Sequence, residues 1–82
     1  MRMERLKSSS RKVTGVKQVT RALKAGKLTL VYVANDADTF LYQQIVRAAE
    51  EAGVPCVRVA SMKELGIACG VDVSAAAAGI LK

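Results

Sequence analysis

The sequence predicts an α/β domain of two or three layers, because a strand, a helix and a second strand follow one another in mid-chain. Residues 28–34 are β-branched, aromatic and almost continuously apolar, which is typical of a central strand covered on both faces. Apolar positions recur at helical spacing over residues 37–52. A second strand over residues 56–60 completes a βαβ unit, whose strands we expect to be parallel.

Stop and start signals separate these elements. Gly53 ends the helix over residues 37–52, and Pro55 prevents its continuation. Ser61 and Glu64 fit a capping box, in which the Ser side chain accepts a hydrogen bond from an amide in the first turn of a helix. A short helix is therefore predicted from Ser61 to Gly70.

The last segment, residues 74–81, has conflicting signals. Its four consecutive alanines favour helix, whereas Gly79, Ile80 and Leu81 suit a strand that lies close to helices. We predict a strand from about Ala77. Its small side chains are expected to let a flanking helix approach closely.

Charge is distributed unevenly along the 82-residue chain, whose formal net charge is +6. Residues 1–27 carry nine Lys and Arg side chains against a single acid, whereas the remainder carries four against six. Such an asymmetry indicates a side that faces a polyanion, either nucleic acid or an anionic membrane. A basic tail that only improves solubility is the alternative. The length suits one small domain spanning residues 1–82.

Composition excludes several classes of function. The chain has no His and only two Cys, which rules out the usual zinc sites and His-based catalytic triads, and it lacks both glycine-rich phosphate-binding motifs. Cys56 and Cys69 have apolar neighbours, so buried thiols are favoured over a disulfide. With no apolar run of membrane-spanning length and a charged start, the chain is expected to be a cytoplasmic protein without a cofactor.

Residues 14–26 are predicted to form a helix with two different faces. The apolar face consists of Val16, Val19, Ala22 and Leu23. A cationic stripe consists of Lys17, Arg21 and Lys24, with Gln18 beside it. Thr14 or Gly15 would cap the helix and leave free backbone amides that can receive an anion or base edges. Nucleic-acid binding and a merely solvated surface both explain the stripe.

Three segments carry more specific motifs: residues 15–21 (GVKQVTR), residues 34–38 (ANDAD) and residues 61–73 (SMKELGIACGVDV). In order and spacing, from about Lys12 to Leu81, they resemble the kink-turn RNA-binding ribosomal protein family of the "L-seven-Ae" type. The length and the Lys17-Gln18 pair look most like its short bacterial ribosomal-protein-like members. The resemblance implies a three-layer α/β/α sandwich around a mixed, mainly four-stranded sheet.

The resemblance also implies a function that is not enzymatic. Family members clamp a sharply bent RNA, the kink-turn, at tandem sheared G·A pairs, where the helix that begins at Gly15 enters the groove. Lys17 and Gln18 would face base edges and Arg21 would reach a base or phosphate, with Lys24 further along the stripe. The family usually has Asn then Glu at the positions of Lys17 and Gln18. Because Gln both donates and accepts whereas Lys only donates, base selectivity is expected to differ.

Two further regions match RNA-contacting parts of the family. Asp38 corresponds to an acid near a looped-out nucleotide, although a helix N-cap is an equally good explanation for it. A loop that covers unstacked bases corresponds to Val71, Asp72, Val73 and Ser74. Met62 stands where many members carry Lys, so one contact would be missing, and neighbouring Lys63 would replace it only in part.

The expected partner is an RNA that contains a kink-turn, with ribosomal RNA and riboswitches as candidates. The free protein is expected to be a monomer, and it can be ribosome-associated or not. A purely structural subunit of a ribonucleoprotein would differ in biological role but would bind RNA by the same chemistry. The alternative from another class is a small nucleotide- or metal-binding α/β module. It would use Asp36 and Asp38 with Lys17, because such folds place ligands just past the ends of parallel strands.

Overall fold

The structure is a computed structural model that describes residues 11–70 and 74–82. Within these ranges the strands are β1 (Lys12–Thr14), β2 (Leu28–Ala34), β3 (Cys56–Val59) and β4 (Ala77–Leu81). The helices are α1 (Val16–Lys24), α2 (Thr39–Ala52) and α3 (Met62–Cys69). None of these helices is long and apolar enough to cross a membrane.

The four strands form one mixed sheet in the order β1-β4-β2-β3. Strands β2 and β3 are parallel, with Val31 opposite Cys56 and Ala34 opposite Val59. This confirms the pairing that the βαβ unit predicts. Strand β4 lies between β1 and β2 and is antiparallel to both.

Strand β2 supplies buried side chains to both faces of the sheet, as predicted for a central strand. Val31 and Val33 pack in one core with α1 and α2. Leu30 and Tyr32 point to the opposite face and pack in a second core with α3. With helices on both faces, the sheet is the middle layer of an α/β/α sandwich, which confirms the predicted fold class.

The helix ends follow local capping chemistry. Helix α2 begins two residues later than the predicted start at residue 37, because the side chain of Asp38 accepts hydrogen bonds from the first-turn amides. Gly53 ends it in the left-handed conformation. The predicted cap of α3 is confirmed, since the Glu64 N–H donates to Ser61 Oγ over 3.1 Å, and Gly70 ends that helix.

Both cysteines are free thiols, as predicted. Cys69 is buried in the core beneath α3. Cys56 is only half-buried rather than buried as predicted. Burial still raises the pKa of its thiol, while Arg58 opposes this effect and Glu50 adds to it. A thiol with a raised pKa is protonated at neutral pH and is a poor nucleophile. The observations support a packing role rather than a chemical one.

Small residues in β4 allow close packing on both faces of the sheet. Ala77 joins the core beneath α1 and α2, while Ala78 joins the core beneath α3. At Gly79 the close neighbour is a side chain of the adjacent strand rather than a helix. A Cβ built at Gly79 would lie only 2.7 Å from Leu28 Cδ1.

Gly79→Ala should therefore lower the free energy of unfolding by about 1–3 kcal/mol, which is typical of overpacking a core. Leu28 is only 1% exposed, so it has little room to turn away. Urea denaturation measures the loss. Leu28→Val shortens the opposing side chain, and Gly79→Ala should cost less in that background. An equal cost in both backgrounds would contradict the contact.

Candidate nucleic-acid interface

The three described helices all begin at one edge of the sheet, which we call the site edge and define by their N-cap residues Gly15, Asp38 and Ser61. The Gly15 N–H donates to the Ala77 carbonyl over 2.9 Å. Ala77 is paired with Val33 near the carboxyl end of β2, so α1 starts beside the strand end that leads into α2. Helix α3 follows β3, which ends opposite Ala34. Three positive helix ends therefore meet at this edge.

Two of these helix ends are occupied by side chains of the protein. Asp38 Oδ1 accepts from the amides of Phe40 and Leu41, at 2.9 and 3.4 Å. Asp36 Oδ1 accepts from the Met62 amide over 2.7 Å and so ties the loop after β2 to the start of α3. The hydroxyl of Ser61 caps the same helix.

These bonds weaken the hypothesis of a nucleotide- or metal-binding module. Both carboxylates on which it depends are engaged with helix amides. Residues 11–70 and 74–82 also contain no group of three or more His, Cys, Asp or Glu side chains that could hold a metal ion. The capping role considered for Asp38 is confirmed.

The start of α1 is different, because its cap is Gly15, which has no side chain to accept a hydrogen bond from the first-turn amides. Gly15 has φ 100° and ψ 147°, a conformation that is essentially restricted to glycine. A Cβ built there would have no neighbour within 4 Å. The backbone conformation rather than crowding requires glycine here, because no residue in the described part of the chain crowds the Cβ position of Gly15.

The exposed face of α1 is cationic along its whole length. Its exposed side chains include Lys17, Gln18, Arg21 and Lys24, whereas Val19, Ala22 and Leu23 are buried. Arg21 and Lys24 lie near the negative end of the helix, where cations are favourable. Lys17 lies in the first turn at the positive end, and no acid accompanies it there. The positive helix end therefore repels the Lys17 ammonium group, and an anion bound at this turn would relieve that repulsion.

The segment that leads into β4 also runs along the site edge. The Ala75 N–H donates to the Met62 carbonyl over 3.0 Å, and the Ala34 N–H donates to the Ala76 carbonyl over 2.9 Å. Ser74 precedes these bonds and is exposed. The other predicted residues of this loop, Val71, Asp72 and Val73, lie outside the described residues.

The structure thus brings together most of the predicted site residues. Those at the site edge are Gly15, Lys17, Gln18, Asp38 and Ser74. Arg21 and Lys24 extend the surface one and two turns along α1. Sequence reasoning passed over Phe40 and Arg47, which are exposed on α2 beside the same helix. A large aromatic side chain at a polar position of the helical pattern was the signal that could have identified Phe40.

Comparison with known proteins gives consistent matches. A model of the "Ribosomal protein L7Ae/L30e/S12e/Gadd45 family" matches residues 2–82. The RNA-binding protein YbxF of Geobacillus stearothermophilus is 46% identical over 82 residues, which cover the whole of both chains. An RNA-binding protein of Halalkalibacterium halodurans is 34% identical over the same full lengths.

Solved structures show the same fold. The 15.5kD RNA binding protein of Giardia lamblia superposes with a TM-score of 0.86 at 32% identity, over 98% of this chain and 68% of that one. A protein of unknown function from Bacillus halodurans superposes with a TM-score of 0.84 at 22% identity, over 98% of this chain and 80% of that one.

Gly15→Ala should lower the free energy of unfolding by about 1–3 kcal/mol, because the backbone at this position is strained for any residue with a Cβ. Thermal or urea denaturation tests this. Gly53→Asn is the matched control, since Asn adopts the left-handed conformation of that cap at small cost. A Gly15→Ala variant as stable as the parent would show that α1 can begin with a different backbone.

Proposed function

The chain belongs to the ribosomal protein L7Ae/L30e/S12e/Gadd45 family, and we propose that it is an RNA-binding protein that recognises a kink-turn at tandem sheared G·A pairs. The observation that carries the proposal is the first turn of α1, which is open at Gly15 and exposes Lys17 and Gln18. Full-length relatives that are named RNA-binding proteins support it.

Base edges are read, in this proposal, by the first turn of α1. Guanine offers two acceptor atoms, N7 and O6, on its major-groove edge. The Lys17 ammonium group and the free N–H groups of the helix end are donors suited to such acceptors. The Gln18 side chain supplies a donor NH2 group and an acceptor carbonyl oxygen, so it can pair with an adenine or a guanine edge. Gly15 lets the RNA approach the backbone without meeting a side chain.

Phosphates are bound by the rest of the cationic stripe. Arg21 and Lys24 are exposed on the same helix, about 6 and 10 Å along its axis from Lys17. Such spacing allows each cation to meet a different phosphate. These contacts supply affinity and orientation but little sequence information, because every RNA strand carries the same backbone charge.

Two further contacts complete the proposed interface. Asp38 lies at the site edge and is assigned to a looped-out nucleotide while its Oδ1 caps α2. Residues 71–74 are assigned to unstacked bases, for which apolar side chains supply a flat surface.

The outcome of binding is a shift in RNA shape rather than a reaction. A protein that binds the kinked state more tightly than the extended state shifts the RNA toward the kink by that difference in free energy. Nothing in this mechanism requires a cofactor. We infer that the protein acts as a monomer in the cytoplasm, on ribosomal RNA or a riboswitch.

Base recognition predicts that the protein prefers a kink-turn over a matched RNA. The matched RNA has its G·A pairs replaced by Watson–Crick pairs, and both RNAs are blunt-ended. The wild-type protein should bind the kink-turn at least about tenfold more tightly than the matched RNA, and Gln18→Ala should reduce that preference by at least about fivefold. Fluorescence anisotropy at one fixed salt concentration measures both affinities. Thr29→Ala, an exposed position at the start of β2 and away from the site edge, is the control. Equal wild-type affinity for the two RNAs would overturn the proposal.

Phosphate binding predicts a change in salt dependence. Lys24→Gln should reduce the slope of log K against log salt by about 0.7–0.9, the value for one phosphate contact, while the preference for G·A pairs persists. Arg58→Gln removes a charge from β3 and should leave the slope unchanged. An unchanged slope in Lys24→Gln would mean that this end of the stripe does not touch RNA.

A further inference from the structure

A groove lies between α1 and α2 on the outer surface of their layer. It consists of two adjoining depressions, of about 390 and 510 Å³, that share Thr20, Lys24 and Gln44 as lining residues. We call it the α1–α2 groove. Its charged lining residues are Lys17, Arg21, Lys24, Arg47 and Glu51. Four cations against one acid give it a strongly positive character.

The α1–α2 groove is continuous with the proposed kink-turn site. Both helices that form it begin at the site edge, as the hydrogen bond from Gly15 to Ala77 and the pairing of Ala77 with Val33 establish. Val16 and Lys17, in the first turn of α1, line one of its two depressions. When RNA is bound at the site edge, a single-stranded extension of that RNA can therefore enter the groove directly.

An exposed aromatic ring lines the same groove. Phe40 is 73% exposed in the first turn of α2 and belongs to neither apolar core of the described residues. A solvent-exposed ring beside cations is typical of surfaces on which unpaired bases stack. The amides of Gln43 and Gln44 line the groove beside it and can each donate and accept hydrogen bonds.

We propose that the α1–α2 groove binds a single-stranded RNA segment that flanks the kink-turn, with one base stacked on Phe40 and a phosphate held by Arg47. The proposal rests on the proposed function, since it places the strand next to a bound kink-turn. A protein helix is a poorer fit, because helix-binding grooves present an apolar seam, whereas Phe40 is the one large aromatic side chain among the lining residues.

The test compares a blunt kink-turn RNA with versions that carry a single-stranded extension of about six nucleotides at each end in turn. At least one extended RNA should bind the wild-type protein about tenfold more tightly than the blunt RNA. The double variant Phe40→Ala/Arg47→Gln should abolish this gain and leave affinity for the blunt RNA within about twofold. Arg47→Gln alone should lower the salt slope for the extended RNA by about 0.7.

Two matched variants control for general effects. Ile67→Ala removes an apolar side chain that is 64% exposed on α3, and Arg58→Gln removes a cation from β3. Both should retain the full gain from the extension. Circular dichroism checks that every variant keeps its helices.

The outcomes separate this proposal from the function on which it rests. A wild-type protein that prefers G·A pairs but gains nothing from any extension would overturn the groove proposal alone, and so would a double variant that weakens blunt and extended RNA equally. Loss of the preference for G·A pairs would instead be a failure of the proposed function.

Photo-cross-linking supplies a second, independent measurement. An extension that contains 4-thiouridine should cross-link to groove residues, within residues 40–51 of α2 or 16–24 of α1. Cross-links confined to parts of the chain outside α1 and α2 would show that the strand does not enter the groove, and a protein partner would then be the remaining class of occupant.

Discussion

Main-chain pairing of β4 with both of its neighbours is the interaction on which the candidate site depends. Strand β4 joins β1, which leads into α1, to β2, which leads into α2. The bond from the Gly15 amide to the Ala77 carbonyl continues that pairing to the N-cap of α1. The cap of α1 is thereby fixed relative to the loop after β2. The small residues of β4 also let the helices on both faces pack close to the sheet.

Local features of the fold could be predicted from the sequence, whereas those that depend on distant partners could not. The apolar run of β2 and the caps at Ser61 and Gly53 are signals within a few residues, and the structure confirms them. Strand β1 has only three half-buried residues and forms because Val13 pairs with Gly79, far along the chain. The sequence pattern of β1 carries no sign of that pairing, and the four-stranded mixed sheet followed only from the family resemblance, which left the strand order undetermined.

The same distinction applies to the site. The cationic stripe of α1 is a matter of helical periodicity, so Lys17 and Arg21 could be identified at once. The bond from the Met62 amide to Asp36 spans 26 positions, and without it the carboxylates after β2 suggested a ligand site. The α1–α2 groove requires two helices to lie side by side, and therefore no single stretch of sequence predicted it.

The three helix ends at the site edge are not equally satisfied. Side chains of the protein cap α2 and α3, while α1 has a glycine cap and a lysine in its first turn. Because the backbone at Gly15 excludes a residue with a Cβ, a sequence optimised for stability alone would keep glycine at the cap and place an acid in the first turn. The free protein therefore forgoes stabilisation at the turn proposed to meet the ligand. The first turn of α1 therefore gives up some folding stability in favour of ligand binding. A redesign that stabilised this turn with an acid would bind RNA more weakly.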